Sequence, residues 1–250
     1  REDQTAMTVE GDVRLVASDG LAVSADRATY DSAEDIVRVP GRARFARQRM
    51  TGSSDGATYD RTRDVLWMQS NAAIDVAQAS DGTGQLALRA GATGFARRDR
   101  YIRFDGRMSL DQGGQRAGAD TAMAFLQPDE DVLTMVELRG NSQVALDTTG
   151  PGQVQSMTAQ DINLHYREDG RTLERLTLAN SAVIQFAGEG SQPGRQLSAS
   201  WMDVTLEPDG TPLVVAARDQ VELSLPADGT APARRIRALS LEAVGEPGRG

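Results

Sequence analysis

An all-β fold is the class this sequence predicts, and three observations predict it. Apolar residues recur two apart, which places them on one face of a pleated strand. Turn chemistry of the Asp-Gly or Gly-Gly kind, which supplies the positive φ of tight hairpins, breaks these runs at short intervals. One phrase also occurs twice, as Ala25-Asp26-Arg27-Ala28-Thr29-Tyr30-Asp31 and Ser54-Asp55-Gly56-Ala57-Thr58-Tyr59-Asp60. A phrase repeated at a fixed offset marks a repeat architecture.

In chain order, the alternation begins with Val13/Leu15 and Leu21/Val23, around the turn Ser18-Asp19-Gly20. Each copy of the phrase is followed by a polar turn ending in Asp and then by apolar residues, Asp35-Ile36-Val37-Arg38-Val39 and Asp64-Val65-Leu66-Trp67-Met68. Ile74/Val76 and Leu86/Leu88 flank Ser80-Asp81-Gly82, and Gln112-Gly113-Gly114 makes the next turn. Asp120 to Gln127 could form two helical turns, but its place in the repeat argues for strand. Val144/Leu146, Ile162/Leu164/Tyr166, Leu176/Leu178, Ile184/Phe186 and Val221/Leu223/Leu225 continue the pattern. Their turns are Glu168-Asp169-Gly170, Pro208-Asp209-Gly210 and Ala227-Asp228-Gly229. Small residues opening a similar phrase recur at Ala90, Ala119, Ala159, Ala199 and Ala238, too irregularly for a fixed-rung solenoid. The expected architecture is an elongated antiparallel β-jellyroll of about 20 strands. Two facing sheets would enclose an apolar slot ~10 Å across. Residues 1–146 form the first module, and 147–250 continue it or make a second.

Composition narrows the function. The chain has 250 residues, a net charge of −9 and no cysteine, and its 27 basic residues are all arginine. That acidity argues against general nucleic-acid binding, and without thiols there is neither a disulfide framework nor a thiolate metal site. Aromatics are only 4% of the chain, which suits a thin interior one side chain deep. No run of 18 apolar residues crosses a membrane.

The stretch from Asp19 to Val76 resembles the OstA-like periplasmic domain family of the lipopolysaccharide transport bridge, LptA-like and above all LptC-type. The residues that carry the resemblance are Asp19-Gly20, Ala25 to Asp31, Val37-x-Val39-x-Gly41, Ala43 and Phe45. A second round repeats it in Met50 to Ser53, Ala57 to Asp60 and Arg63 to Trp67. The match is good over residues 8–76, plausible to about Asn141 and a matter of pattern beyond. The resemblance implies a β-taco whose groove holds the acyl chains of lipopolysaccharide or a related glycolipid. It implies head-to-tail joints with other OstA-like proteins through edge strands, and work beside an inner-membrane ABC transporter. It also implies a periplasmic location, with tethering by an N-terminal helix that lies outside this chain. No cofactor and no enzymatic activity are expected.

In that reading the groove lining falls to Leu21, Val23, Tyr30, Val37, Val39 and Phe45 in the first round. Tyr59, Val65, Trp67, Ile74, Phe95, Phe104 and Phe125 continue it. Ile162, Leu164, Ile184, Phe186 and Leu223 extend it through the second half. Arg42, Arg44, Arg47 and Arg49 are candidates to meet lipid phosphates at the rim, against a solvated strand face as the alternative. Arg97, Arg98, Arg100 and Arg103 form a second such cluster. His165, the one histidine, lacks the partners of a triad or zinc site. Asp31/Glu34/Asp35 and Asp129/Glu130/Asp131 lack the Gly and distal Glu of a calcium loop and read as hairpin turns. The alternative to a lipid carrier is a β-solenoid scaffold that polymerises without lipid. A carbohydrate-active β-helix is a third possibility, requiring a spatial pair of carboxylates that the sequence does not single out.

Overall fold

The structure is a computed structural model that describes residues 6–16, 20, 22–78, 85–127, 132–147, 150–189, 193–227 and 231–245. Expectations that fall on Leu21, Ser18-Asp19, Ser80-Asp81-Gly82, Asp129 to Asp131 and Asp228-Gly229 lie outside the described residues. The protein is all-β, with sixteen strands paired antiparallel among the described residues. It divides into two compact units, Arg1–Gly113 and Gly114–Gly250.

The division falls in the Gln112-Gly113-Gly114 turn. Asp147 N–H donates to the Gly114 carbonyl (2.9 Å), and the strands on either side of residues 147–153 are joined in register from Met135↔His165 to Ala145↔Ser156.

Unit 1 contains β1 (Ala6–Val16), β2 (Ala22–Asp31), β3 (Ile36–Arg47), β4 (Met50–Asp60), β5 (Val65–Met68), β6 (Ala72–Val76), β7 (Leu86–Ala90), β8 (Ala92–Ala96) and β9 (Tyr101–Gln112). It is a meander. β4 pairs β5 through Ala57–Asp60 and β6 through Met50–Ser53, so β5 and β6 are two arms of one interrupted strand. β7 and β8 are likewise two arms, broken at Gly91, and both pair β9. The interruptions have local causes. Asn71 sits at φ 50° between β5 and β6, and Gly91 donates its N–H to the Gly106 carbonyl (2.8 Å).

Unit 2 contains β10 (Gln115–Leu126), β11 (Leu133–Leu146), β12 (Val154–Tyr166), β13 (Leu173–Phe186), β14 (Gln196–Leu206), β15 (Pro212–Leu225) and β16 (Arg234–Val244), each paired to the next. Asp120 to Leu126 is strand, as its place in the repeat requires. Several described turns are Asx turns. Asp31 accepts the N–H groups of Ala33 and Glu34, and Asp169 those of Arg171 and Thr172. The Thr172 hydroxyl and these backbone donors hold the Asp169 carboxyl down at about 2.

Against the expected count of about 20 strands, sixteen are formed among the described residues. Long strands do not stop at mid-length; they bend. The register shifts between Glu10 and Val13, Val39 and Arg42, Arg139 and Ser142, Ala179 and Ala182, and Arg218 and Val221. Consecutive positive-φ residues mark the bends of β1 (Gly11-Asp12), β9 (Gly106-Arg107), β11 (Gly140-Asn141), β13 (Asn180-Ser181) and β15 (Asp219-Gln220), whereas the β3 shift carries none. A bulge adds residues to one strand and bends it while the ladder resumes beyond.

Candidate functional site

The repeated phrase builds a repeated clamp at one end of unit 1. The Tyr30 hydroxyl donates to Asp35 (2.9 Å), and the Tyr59 hydroxyl donates to Asp64 (2.6 Å). The hairpin that follows reaches back. Arg61 N–H bonds the Asp35 carbonyl (3.1 Å) and its guanidinium bonds the Asp35 carboxylate (3.0 Å). One round later Arg97 N–H bonds the Asp64 carbonyl (3.2 Å). The hydrogen bond to Asp64, then burial, raises the Tyr59 phenol above its ordinary value. Tyr and Asp thus recur because each hairpin is pinned to its neighbour. The third round has Phe95 and Arg100 in these places, where that side-chain pair cannot form.

Behind this clamp, register partners line up as apolar rows. The first row runs Tyr30–Val37–Tyr59–Leu66–Phe95–Ile102 across six strands. All six are half-buried, so the row is apolar and reachable. The second row runs Val39–Ala57–Met68–Thr93–Phe104 and is buried throughout. Beyond the bend, Val23, Phe45, Gly52, Ile74, Leu88 and Leu110 form another. There the Phe45 ring covers Gly52, where a Cβ would lie 2.0 Å from the ring. Leu66 and Ile102 belong to these rows although the alternating pattern does not select them, and Leu88, which it does select, joins them.

Three expected lining residues face the other way. Trp67 stands opposite Thr58, which stands opposite Arg38, so Trp67 lies on the reverse face from Tyr59 and Leu66, with Val65 beside it. There its ring lies over Gly94. Phe125 pairs with Met135 and through it with His165, whereas Ala122 and Ala124 take the buried positions. In Val65-Leu66-Trp67-Met68 and Ala122-Met123-Ala124-Phe125 both faces are apolar, so alternation cannot choose between them; cross-strand register does.

In unit 2 the rows are closed. Ile162, Leu178 and Met202 share one row at 0% exposure, and Ile184 is equally buried. Leu164, Phe186 and Leu197 are buried too, and Leu223 is half-buried at the end of the Ile184–Leu197 row. Ile162, Leu164, Ile184 and Phe186 are therefore packed core.

The charged candidates are mostly structural. Arg42 and Arg44 are exposed opposite Asp55 and Ser53, on the face away from Ala43 and Phe45. Arg49 bonds the Ala77 carbonyl (2.7 Å) and Arg47 is half-buried. In the second cluster Arg98 bonds the Thr62 carbonyl (2.7 Å) and Arg103 pairs with Asp105 (3.0 Å). Asp31 caps its turn, Glu34 pairs with Arg38, and Asp35 holds Tyr30 and Arg61. Among the described residues no cluster of three or more Asp, Glu, His or Cys could hold a metal.

Burial pushes the Tyr166 phenol up to about 12 from its ordinary 10.0. A raised folded value means that the associated stability is complete below pH 10 and is lost as pH rises through about 12. Titrating phenolate absorbance should give a late phase, and Tyr166→Phe should remove it. A late phase that survives Tyr166→Phe would refute this assignment.

The terminal strands are the last feature. β1 pairs only β2 and β16 pairs only β15, so each leaves one ladder open among the described residues. Among the described residues, the exposed large hydrophobic side chains lie on these two strands. They are Met7, Val9, Leu15 and Val16 on β1, and Ile236, Leu239 and Val244 on β16, with Leu239 83% exposed. No protein-family model and no curated protein matches this chain.

Proposed function

We propose that this protein is a lipid-carrying component of the periplasmic lipopolysaccharide transport bridge, as its OstA-like phrase suggests. Acyl chains lie along the apolar rows of unit 1 and are handed on across edge-strand joints. The observation that carries the reading is the row Tyr30–Val37–Tyr59–Leu66–Phe95–Ile102, apolar on every strand yet only half-buried. Each methylene removed from water is worth about 0.8 kcal/mol, so shielding a 12-carbon chain gains roughly 10 kcal/mol before ordering costs. A row without charged groups supplies that and imposes no fixed stopping point. Bulges at mid-strand bend the strands that carry them, which a β-taco requires.

The open edges support the joints. Positive-φ pairs mark β11, β13 and β15 but not β16, and β1 carries one, so a β1 placed beside β16 continues the alternation. Continuing the β14–β15 register across that joint sets Leu241 opposite Val9 and Ile236 opposite Leu15. Met7, Val9, Leu15 and Ile236 would then extend the interior rows, whereas Val16 and Val244 lie on the reverse face. Pairing through open ladders is β-augmentation, and it removes an aggregation hazard. The partner is another OstA-like domain, and an inner-membrane ABC transporter supplies the lipid.

The test is a photo-crosslinking side chain at Val37 or at Arg38, its outward neighbour on β3. With lipopolysaccharide, Val37 should label and Arg38 should not, and Leu66→Asp should cut the Val37 signal about tenfold or more. Equal labelling at both positions would refute the reading. The same edges also favour a second reading, a self-assembling scaffold. It requires concentration-dependent filaments that form without lipid and bind none.

A further inference from the structure

Both tryptophans of the chain turn away from its buried rows, and the one in unit 2 borders a notch. Trp201 on β14 is half-buried in the row Arg139–Asp161–Ala179–Trp201–Arg218–Ser240. That row lies on the opposite face from the closed row through Ile162, Leu178 and Met202. Arg218 lies over the indole, 5.1 Å from its centroid, and covers one side of it. On the other side stands Ala179, too short to cover the ring. Next comes Asp161, half-buried, two strands from Trp201 and therefore about 9.6 Å away along the sheet. An alanine floor thus lies between an indole wall and a carboxylate wall.

The polar groups of this notch are not used by the fold. Among the described residues, Asp161 makes no side-chain hydrogen bond or ion pair, and Arg218 makes none besides its contact with the indole. Arg61 also lies over a ring, that of Tyr30 (5.8 Å), but its guanidinium is bonded to Asp35 (3.0 Å). Asn180 follows Ala179 in the β13 bulge, is exposed at φ 63°, and leaves its amide equally free among the described residues.

The surroundings select the ligand. Apart from Trp201, neither this row nor the next outward one, Glu137–Asn163–Thr177–Asp203–Ala216–Glu242, holds an apolar side chain larger than alanine. A protein interface needs an apolar core, which is missing here. The two rows set two arginines against four carboxylates, the wrong balance for a nucleic acid or an anionic membrane surface. One aromatic wall among donors and acceptors of both kinds suits a saccharide. Its C–H face packs on the electron-rich indole, and its hydroxyls both donate and accept.

We propose that the notch between Trp201 and Asp161, on the outer face of unit 2, is a saccharide-binding site. A sugar ring packs against the uncovered side of Trp201 above Ala179, Asp161 accepts from its hydroxyls, and the Asn180 amide bonds its rim. Arg218 backs the indole from the other side. The site does not depend on the acyl-chain reading, which concerns unit 1.

The full chain should be titrated by calorimetry with maltohexaose, cellohexaose and trigalacturonic acid, and with trilysine as a cationic probe. At least one saccharide should bind, with a change in indole emission that persists in Trp67→Phe and so belongs to Trp201. Trp201→Ala and Asp161→Ala should each weaken that binding about tenfold or more. Asp161→Ala, at an outward position without a partner, should keep the thermal midpoint of the wild type. Failure of the wild type to bind any of the three saccharides would overturn the proposal, and so would undiminished binding by either variant. Binding of trilysine alone would overturn it as well, by assigning the notch to a basic partner.

Discussion

Leu178→Ala should destabilise unit 2 by about 3–5 kcal/mol, and Leu178→Asp should prevent that unit from folding. Leu178 is 0% exposed and stands between Ile162 and Met202, which are equally buried, in the row that runs through the middle of the unit. Truncation removes apolar contacts and leaves a cavity that paired strands on both sides cannot collapse to fill. Aspartate adds an unpaired charge with no cation in its row. Trp201, on the neighbouring β14 and stacked with Arg218 (5.1 Å), gives a fluorescence signal for this unit. Its denaturant midpoint should fall in Leu178→Ala. An unchanged midpoint would mean that this row is not the core of the unit.

Gly91→Val should cost about 1–3 kcal/mol in unit 1. A Cβ on Gly91 would lie 2.9 Å from the Asp105 carbonyl oxygen, 2.9 Å from the Gly106 carbonyl oxygen and 3.1 Å from the Gly106 Cα. These are backbone atoms at the bend of β9, so no side chain can swing aside to relieve the overlap. Gly41 is the control: it lies beside the β3 bulge with nothing within 4 Å of its Cβ position. Gly41→Ala should therefore change stability by no more than about 0.5 kcal/mol. Trp67, packed over Gly94 on the adjoining arm, reports the transition. Equal effects at the two glycines would refute the close approach at the bend.

Both effects depend on the bend, and the bend is where sequence and structure part. Period-2 alternation finds most strands, because residues such as Ile162 and Leu164 need only their own neighbours to declare a buried face. Asp-Gly and Asx turns are equally local: Asp169 caps Arg171 and Thr172 within three residues, and the pattern shows it. Bulge residues are less legible. Asn180-Ser181 and Asp219-Gln220 adopt positive φ in mid-strand, and β13 and β15 run on through them to 14 residues each, longer than the roughly 10 to 12 per strand and turn behind the expected count.

What the sequence by itself determines here is the class: all-β, antiparallel, with a repeated hairpin phrase, a net negative charge and no thiol chemistry. Those properties are local or compositional. Tertiary structure alone decides which apolar residues share a face and which of them water can reach. Register sends Trp67 and Phe125 to the reverse face, leaves the Tyr30–Ile102 row half-open and buries Thr93 without a partner. It also gathers the exposed hydrophobic side chains onto β1 and β16. The physical reason is that a one-residue slip in pairing exchanges the two faces of a strand. Pairing is set by partners far away in the chain, so no single strand carries that information.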